Sequence, residues 1–529
     1  MKKIFFSKIL LILIVSMFFR YWLISNNQVY FWFDQARDAN ISQSIIYNHD
    51  FKIQGPSASG TKDTIYHGVL YYYLLSPIYY IFQGNPFFVT LFFGLINSFS
   101  VVFLYIISKK IFENEKIALL SSFLLAINFE HSQYSTWLSN PMMGLIPTLI
   151  FFLSIWMIFY NKKRTYVLKW MILMGFSLGL IEQSAFYSIY FFGVIIVGLI
   201  YLSKKLKTSF YKIFSIKEIL AFLFVYILTI STMLVNQFLL FKAGIFTFKV
   251  FEDAVGHSSI WKNPRLVIKL FDTFLTKFVS TISPNLPLFG SIILLITFFV
   301  LIKKVSNPKK IFLLSWFTAP LWLFIFHFRS SSHMLLGLEY MLIITFSFII
   351  YLFIENKNIF IKGTAIVLFI AYILLQFNAV IMIRNNDSSI FTFQNGVMLK
   401  NELKLIDKTY QLVNKEPFSI SIWGSPYEYY ITWAYLYHWY GKQKYGYVPS
   451  YFGTSQSGKY GENLLKQKDH PEQLHFLIEE PGVYLVGDIY KQFIAKQNSF
   501  STIVDTNSSL EDGFEIIGEY RLQFRNKIQ

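Results

Sequence analysis

The sequence predicts a polytopic α-helical membrane protein with a small α/β domain at its C-terminal end. Three observations lead to this fold class. The 529-residue chain is 54% hydrophobic and only 15% charged, whereas a soluble protein carries about 25% charged residues. Several apolar runs are long enough to cross a hydrocarbon core, which takes roughly 20 residues. After residue 383 the composition becomes polar, and short β-like runs alternate with helix-like stretches.

About eleven apolar segments fit as transmembrane helices. They lie at approximately 4–25, 87–108, 117–130, 141–160, 166–182, 187–203, 218–241, 287–302, 311–328, 333–354 and 363–383. The N-terminus has the basic start and apolar run of a signal peptide, but no small-residue cleavage site follows. We therefore interpret it as a retained first helix.

The distribution of Lys and Arg sets the orientation. With the N-terminus in the cytoplasm, the basic residues collect in the predicted inner loops, and the short outer loops 131–140 and 183–186 contain none. This alternation is the positive-inside pattern of cell-membrane proteins. It leaves three long outer segments, at 26–86, 242–286 and 384–529. The C-terminal domain is therefore expected outside the cytoplasm.

One apolar segment, 68–82, is not counted as a span, because counting it would invert every later loop. It is short and rich in Tyr, as expected for a helix that lies at the membrane interface. We expect Pro77 to break it. Residues 1–383 are thus predicted to form the transmembrane domain, with interfacial helices in its first outer loop.

Residues 384–529 are long enough for one domain with its own core. The alternating runs Phe418–Trp423 and 482–487 predict strands. Residues 423–440 are rich in Trp and Tyr, which either stack on sugar rings or fill the domain core; the core is the favoured interpretation.

The first outer segment carries the strongest candidate site. Charged side chains at a membrane boundary are unfavourable unless they are used or well solvated. Asp34, Arg37 and Asp38 lie three and four residues apart, so a helix places them on one face. Asp34 would act as general base on an acceptor hydroxyl or amine, and Arg37 would hold a lipid-linked phosphate. A salt bridge at a helix end, with no chemistry, explains the spacing equally well.

Weaker candidates lie near the predicted outer surface. Tyr66 and His67 follow in the same segment, where His67 would give the phosphate a second donor; an interfacial histidine without a role is favoured for it. Glu130 and His131 close the third span and would line the acceptor side. An ordinary helix end is the favoured interpretation of these two.

Several motifs in register resemble those of GT-C glycosyltransferases, in the group related to protein O-mannosyltransferases and lipid A aminoarabinose transferases (family 39-like). The run FDQARDA at 33–39 is similar to the first-loop motif of that group. Further matches follow in the same order, GPS at 55–57, HGVLYYYL at 67–74, GNP at 84–86 and YSTWLSNP at 134–141. The similarity covers roughly residues 1–160 well and runs more loosely to 383.

The resemblance implies inverting transfer of a sugar from a polyprenyl-phosphate donor to a glycan, lipid or protein acceptor at the outer face. By the resemblance, Asp34 is the catalytic base and Arg37 contacts the carrier phosphate. A late Arg/His cluster of the family corresponds to Arg329 and His333, although interfacial snorkelling explains those two equally well. The expected substrate-binding set is Arg37, Asp38, Tyr66, His67, Arg329 and His333.

Other partners and cofactors have little support. The net charge of +17 lies mostly in short inner loops, which argues against nucleic acid. The chain has no Cys, so disulfides, thiolate catalysis and Cys-ligated metals are excluded. The histidines lack metal-ligand spacing, and neither a P-loop nor GxGxxG is present. We expect no metal, no cofactor and no soluble nucleotide-sugar donor.

Alternative functions are a polytopic transporter or lipid flippase, and an oligosaccharide polymerase or ligase that uses a diphosphate-linked donor. A transporter places ionisable residues near the bilayer midplane and often has inverted repeats, whereas here the polar residues gather in outer loops. A ligase needs more cations for its second phosphate. Those available around the long outer loop are Lys242, Lys249, Lys262, Arg265 and Lys269.

Overall fold

A computed structural model describes residues 2–57, 65–161, 164–185, 189–209, 212–245, 264–321, 335–392, 394–482, 487–504 and 513–528. Up to residue 385 the described chain is mostly helical. Its helices are α1 (Lys2–Ile24), α2 (Phe33–Tyr47), α3 (Leu70–Ile81), α4 (Pro86–Ser98), α5 (Ser100–Phe112), α6 (Glu115–Ala126), α7 (Phe129–Ser135), α8 (Leu145–Ile155), α9 (Val167–Ser184), α10 (Ile189–Leu206), α11 (Ile216–Thr229), α12 (Ser231–Lys242), α13 (Pro264–Ile282), α14 (Pro287–Lys304), α15 (Asn307–Thr318), α16 (Leu338–Ile354) and α17 (Ile359–Asn385).

Each predicted span overlaps at least one of these helices, but the count of eleven stays a prediction. Within the described residues, five helices are long and apolar enough to cross a membrane, or six if α11 and α12, bent by 63°, form one span. The predicted span 117–130 illustrates the difference, because α6 ends at Ala126 after 12 residues and the short α7 follows. The spans 311–328 and 333–354 lie partly outside the described residues.

Glycines bring two of the apolar helices into close contact. α9 packs along α11. A Cβ atom added at Gly175 would lie 2.6 Å from the backbone oxygen of Phe222, and one at Gly179 would lie 2.6 Å from Cβ of Thr229. Membrane helices use small residues in this way because lipid provides no hydrophobic driving force between them, so close van der Waals packing has to hold them together.

The first outer segment forms α2 and α3, which pack against each other. α3 has 12 residues, roughly 18 Å at 1.5 Å per residue, so it is too short to cross a membrane. The expectation that Pro77 breaks this helix is wrong, because α3 continues through Pro77 to Ile81. Proline removes one backbone hydrogen bond, but the buried side chains of Tyr72, Leu75 and Tyr79 hold the helix against its neighbours.

The C-terminal region is built on one sheet. Its strands are β1 (Phe418–Trp423), β2 (Ser450–Phe452), β3 (Gln467–Lys468), β4 (Leu474–Glu479), β5 (Ser501–Ile503), β6 (Phe514–Ile517) and β7 (Tyr520–Lys527). The order is β3-β2-β1-β4-β7-β5, with β6 paired to β7. β1 to β4 pair in parallel, and β7 is antiparallel to its partners. The predicted strand 418–423 is confirmed, and most of the other, 482–487, lies outside the described residues.

The central strand β1 is buried along its whole length, and its serines still find partners. Ser419 Oγ lies 2.8 Å from His475 Nδ1, and Ser421 donates to the carbonyl of Phe452. The helices of this region are α18 (Leu399–Val413), α19 (Ile431–Leu436), α20 (Lys442–Tyr445) and α21 (Asp488–Phe500). The core interpretation of 423–440 is confirmed for four buried aromatic side chains, those of Trp423, Tyr430, Trp433 and Tyr437. Tyr435 and Trp439 are also buried, but they line a groove beside the first outer segment.

The sheet region packs on the chain that flanks α2. The N–H of Leu399 donates to the carbonyl of Val29 at 2.8 Å. Beyond the end of α3, the Tyr435 hydroxyl donates to the carbonyl of Gly84 at 2.7 Å. α2 therefore lies between the helical region and the sheet. The boundary at 383/384 and the side of the membrane that the sheet faces stay predictions.

Candidate active site

α2 begins at the charged motif because its first turn is fixed by side-chain contacts. The side-chain oxygen of Gln35 accepts a hydrogen bond from the Trp32 N–H at 3.3 Å, which satisfies a donor at the helix start. The Gln35 amide donates to the carbonyl of Leu138 at 3.1 Å. The positive end of the helix dipole also stabilises the carboxylate of Asp34 in the first turn. The turn that carries Asp34 and Arg37 is thus held on both sides.

Arg37 joins the two carboxylates of the motif. Its Nη1 lies 2.7 Å from Asp34 Oδ1. Its Nε and Nη2 lie 2.8 Å and 2.7 Å from Asp38 Oδ1. The predicted shared face is therefore observed. A guanidinium has five N–H donors, and these contacts use three of them, so two remain for another oxygen ligand.

The two carboxylates differ in exposure, and this decides which one a substrate can reach. The side chain of Asp34 is 57% exposed, whereas that of Asp38 is only 3% exposed. Burial raises the pKa of Asp38 to about 6, although the charge of Arg37 opposes the rise. Burial also disfavours the charge of Arg37, but the carboxylates of Asp38 and Asp34 outweigh it and raise the pKa of Arg37.

Aromatic side chains surround this charged group. The Tyr72 side chain interacts electrostatically with the Asp38 carboxylate. The guanidinium of Arg37 lies 5.7 Å from the centroid of the Phe33 ring, within the range of a cation–π contact. The Phe33 ring meets Tyr429 edge-on, with centroids 5.3 Å apart. Both α3 and the C-terminal region therefore contribute to the surroundings of the motif.

Tyr66 and His67 lie on a short extended segment. Tyr66 pairs with Ser57 in an isolated antiparallel bridge, and the N–H of His67 donates to the carbonyl of Pro56 at 2.8 Å. The part of Tyr66 and His67 in substrate binding stays a prediction. Arg329 and His333 lie outside the described residues, so their predicted role is also untested.

A carboxylate from the sheet region holds the residue that precedes α2. Glu480 follows β4 and accepts hydrogen bonds from Nε1 of Trp32 at 3.3 Å, from Nε1 of Trp433 at 3.0 Å and from the N–H of Ser425 at 3.0 Å. Its burial raises the pKa of Glu480. Trp32 and Glu480 are 448 residues apart, and no local sequence pattern joins them, so Glu480 was not among the predicted site residues.

A second group of charges is buried between α7, α13 and α16. Lys277 Nζ lies 2.7 Å from Glu130 Oε1 and 3.6 Å from Glu339 Oε2. Thr281 donates to Glu130 Oε2 at 2.6 Å, and His131 Nδ1 is 3.8 Å from Glu339 Oε1. Glu130 and His131 lie in the first turn of α7 and are both buried in this group, and their part on the acceptor side stays a prediction.

The sequence did contain a signal for one of the two residues of this group that were missed. Glu339 interrupts a strongly apolar stretch, where an ionisable residue is a functional or structural candidate by default, whereas Lys277 lies among the mixed polar and apolar residues of α13. Both are at most 2% exposed. Their buried pairing explains why each is tolerated there.

An open groove of about 850 Å³ runs along α2 between α3 and the C-terminal region. It starts one helical turn beyond Arg37, at Asn40 and Ile41, and Tyr72 of α3 also lines it. In the part of the chain that the structure describes, no group of three or more His, Asp or Glu side chains is arranged to hold a metal ion. The expectation of a reaction without metal or cofactor stays a prediction.

The fold is similar to that of ArnT in two solved structures. ArnT from Cupriavidus metallidurans bound to undecaprenyl phosphate aligns over 97% of both chains, with a TM-score of 0.52 and 10% identity. Its apo state gives a TM-score of 0.50 over 98% of this chain and 97% of that one, also at 10% identity. The Archaeoglobus fulgidus oligosaccharyltransferase in the apo form gives a TM-score of 0.47 at 12% identity. The alignment covers 80% of this chain and 63% of the oligosaccharyltransferase.

No protein-family model matches the sequence, and no match was found among curated proteins. The similarity to ArnT confirms the GT-C-like helical fold that the sequence resemblance implied. At 10% identity it establishes the fold alone.

Proposed function

We propose that the protein is a membrane glycosyltransferase that moves a sugar from a polyprenyl phosphate to an extracytoplasmic acceptor, with inversion at the anomeric carbon. One observation carries the proposal: an exposed carboxylate, Asp34, lies 2.7 Å from an arginine that a second, buried carboxylate holds in place. The fold shared with ArnT, which was solved with undecaprenyl phosphate bound, supports a polyprenyl phosphate as the carrier.

In the proposed reaction, Asp34 accepts the proton of the acceptor hydroxyl or amine as that group attacks the anomeric carbon. The bond between this carbon and the phosphate oxygen breaks on the opposite face, and its electron pair leaves with the polyprenyl phosphate. Arg37 donates hydrogen bonds to the phosphate and stabilises the charge that develops there. Asp34 then releases its proton to water.

The two remaining N–H donors of Arg37 fit this role. Asp38 keeps two of the guanidinium contacts from its buried position, so Arg37 stays oriented when the phosphate arrives. The phosphate takes the two remaining donors, so that Arg37 contacts Asp34 and the phosphate at the same time. One side chain thus holds the base and the leaving group next to each other.

The alternative of a diphosphate-linked donor depends on further cations. Five basic residues were named as possible ligands of a second phosphate, and two of them, Lys249 and Lys262, lie outside the described residues. A third, Lys242, has its Nζ 4.7 Å from the centroid of the Phe238 ring. In the described ranges, Asp34 and Arg37 form ion pairs with each other and with Asp38. A monophosphate carrier is therefore the simpler proposal.

The experiment is a comparison of cell-surface glycans by mass spectrometry after deletion of the gene. We expect one sugar substituent to disappear and to return with the wild-type gene. A gene that encodes Asp34→Asn should not restore it. The matched control is Asp488→Asn, the same chemical change at a carboxylate whose side chain is 91% exposed on α21. Full restoration by Asp34→Asn would contradict the catalytic role.

A further inference from the structure

The groove along α2 is formed by three parts of the chain. Its volume of about 850 Å³ lies in the upper part of the range of about 300–1,000 Å³ that is typical of ligand sites. α2 forms one side. The first outer segment contributes Lys52 and Tyr66, and the C-terminal region contributes Trp439 and Tyr460. The groove is thus large enough for an oligosaccharide segment.

The groove continues the helix face that carries Asp34 and Arg37. Residues three and four apart share a face of a helix, and the series Asp34, Arg37, Ile41, Ser44 and Asn48 follows this spacing. The last three residues of the series line the groove. Along the helix axis, Ile41 is roughly 10 Å from Asp34. A chain molecule that fills the groove therefore extends toward the exposed carboxylate.

The lining combines exposed aromatic rings with amides. Tyr47 and Tyr460 are 56% and 44% exposed, and such rings offer an apolar face together with a polar hydroxyl. Primary amides both donate and accept hydrogen bonds. Those in the lining are Asn40, Gln43, Asn48, Gln54, Gln83, Gln443 and Asn463. This mixture matches the apolar ring faces and hydroxyl groups of a sugar chain.

Two of the three lysines in the lining form ion pairs. Lys52 Nζ lies 2.6 Å from Asp50 Oδ2, and Lys459 Nζ lies 3.4 Å from Glu428 Oε2. A polyanion such as a nucleic acid needs an unneutralised positive surface, so the pairing disfavours it. A neutral ligand that is rich in hydroxyl groups fits this lining better.

We propose that the groove binds a neutral glycan chain as acceptor and presents one of its hydroxyl groups to Asp34. The assignment as an acceptor rests on the proposed function, whereas glycan binding does not depend on it. The polyprenyl chain of the donor has to remain in the membrane, and the groove is formed by segments that are predicted to lie outside it. Donor and acceptor thus approach Asp34 from different sides.

Hydroxyl-radical footprinting of the full-length Asp34→Asn protein measures binding without turnover. The probe is the neutral glycan fraction released from the surface of cells that lack the gene. We expect this fraction to lower the oxidation rates of Tyr47 and Tyr460. Tyr166, which is 79% exposed at the predicted inner end of the span 166–182, is the control and should not change. Equal oxidation of all three tyrosines with and without the glycan would overturn the proposal.

Kinetics of the wild-type background separate this proposal from the catalytic one. Tyr47→Ala and Tyr460→Ala should each raise the acceptor KM about two- to tenfold, the effect of one aromatic contact, and leave kcat at saturating acceptor unchanged. Tyr166→Ala should alter neither constant. An unchanged acceptor KM in the Tyr47→Ala/Tyr460→Ala double variant would overturn the proposal. If Asp34→Asn retains transfer while the tyrosine variants show weaker glycan binding, the catalytic role of Asp34 fails and glycan binding in the groove stands.

Discussion

Replacement of Lys277 by Met is expected to destabilise the protein strongly. The Lys277 ammonium group lies 2.7 Å from Glu130 and 3.6 Å from Glu339, and it is 4.6 Å from the centroid of the Tyr134 ring. Met has a similar volume but no charge. The variant would therefore leave two carboxylates buried next to each other without the cation that compensates them.

The magnitude follows from the burial of this group. Its three charged side chains are between 0% and 7% exposed, so solvent screening is small. Removal of one partner of such a pair costs about 3–5 kcal/mol, because the remaining charge is left uncompensated. At about 2 °C per kcal/mol for a large chain, the melting temperature should fall by roughly 6–10 °C.

Thermal unfolding of the purified protein in detergent measures this effect. The matched control is Lys269→Met, which makes the same change two turns earlier on α13 at an exposed position, and it should leave the melting temperature unchanged. Lys277→Met/Glu130→Gln removes one of the two stranded charges and should recover part of the loss. Equal melting temperatures of Lys277→Met and Lys269→Met, or no recovery in the double variant, would refute the reasoning.

Three further predictions concern the surroundings of Asp34. Arg37→Lys should lower kcat/KM about 10- to 100-fold and raise the donor KM, because an ammonium group cannot replace a fork that contacts two carboxylates. The pKa of Asp38, about 6 in the folded protein, lies above its ordinary value of 3.8. The wild-type protein should therefore lose stability relative to Asp38→Asn as the pH rises from 4 through 6. The melting temperatures of both proteins, measured across this pH window, will test this prediction. Glu480→Gln should lower the melting temperature, because the NH2 group of Gln replaces one of the two oxygens that accept hydrogen bonds from Trp32, Trp433 and Ser425. The loss of at least one of these bonds costs about 1–3 kcal/mol.

The sequence predicted those parts of the site that depend on local geometry. The contacts of Arg37 with Asp34 and Asp38 follow from helical spacing alone, once α2 is assumed. The hydrogen bond between Trp32 and Glu480 could not be foreseen in this way, since only the folded sheet brings the two residues together. Tertiary packing also explains why Pro77 lies inside α3 and does not end it.

The membrane region shows the same division between local and distant causes. Hydropathy located the apolar segments, and every predicted span overlaps a helix. It did not reveal that α13 lies within the predicted outer segment 242–286, because the polar residues of this helix, such as Lys269 and Asp272, lower its mean hydropathy. Lys277 was not singled out for the same reason. Its buried partners, Glu130 and Glu339, come from α7 and α16.

The most direct test of the proposed function is transfer by the purified protein in liposomes that contain polyprenyl-phosphate-linked sugars from the native membrane. Mass spectrometry would follow release of the polyprenyl phosphate in the presence of acceptor. We expect Asp34→Asn to lower kcat about 10²- to 10⁴-fold, as for loss of a general base, and to leave polyprenyl-phosphate binding and the melting temperature unchanged. Transfer at the wild-type rate by this variant, with Asp488→Asn equally active, would contradict the central claim.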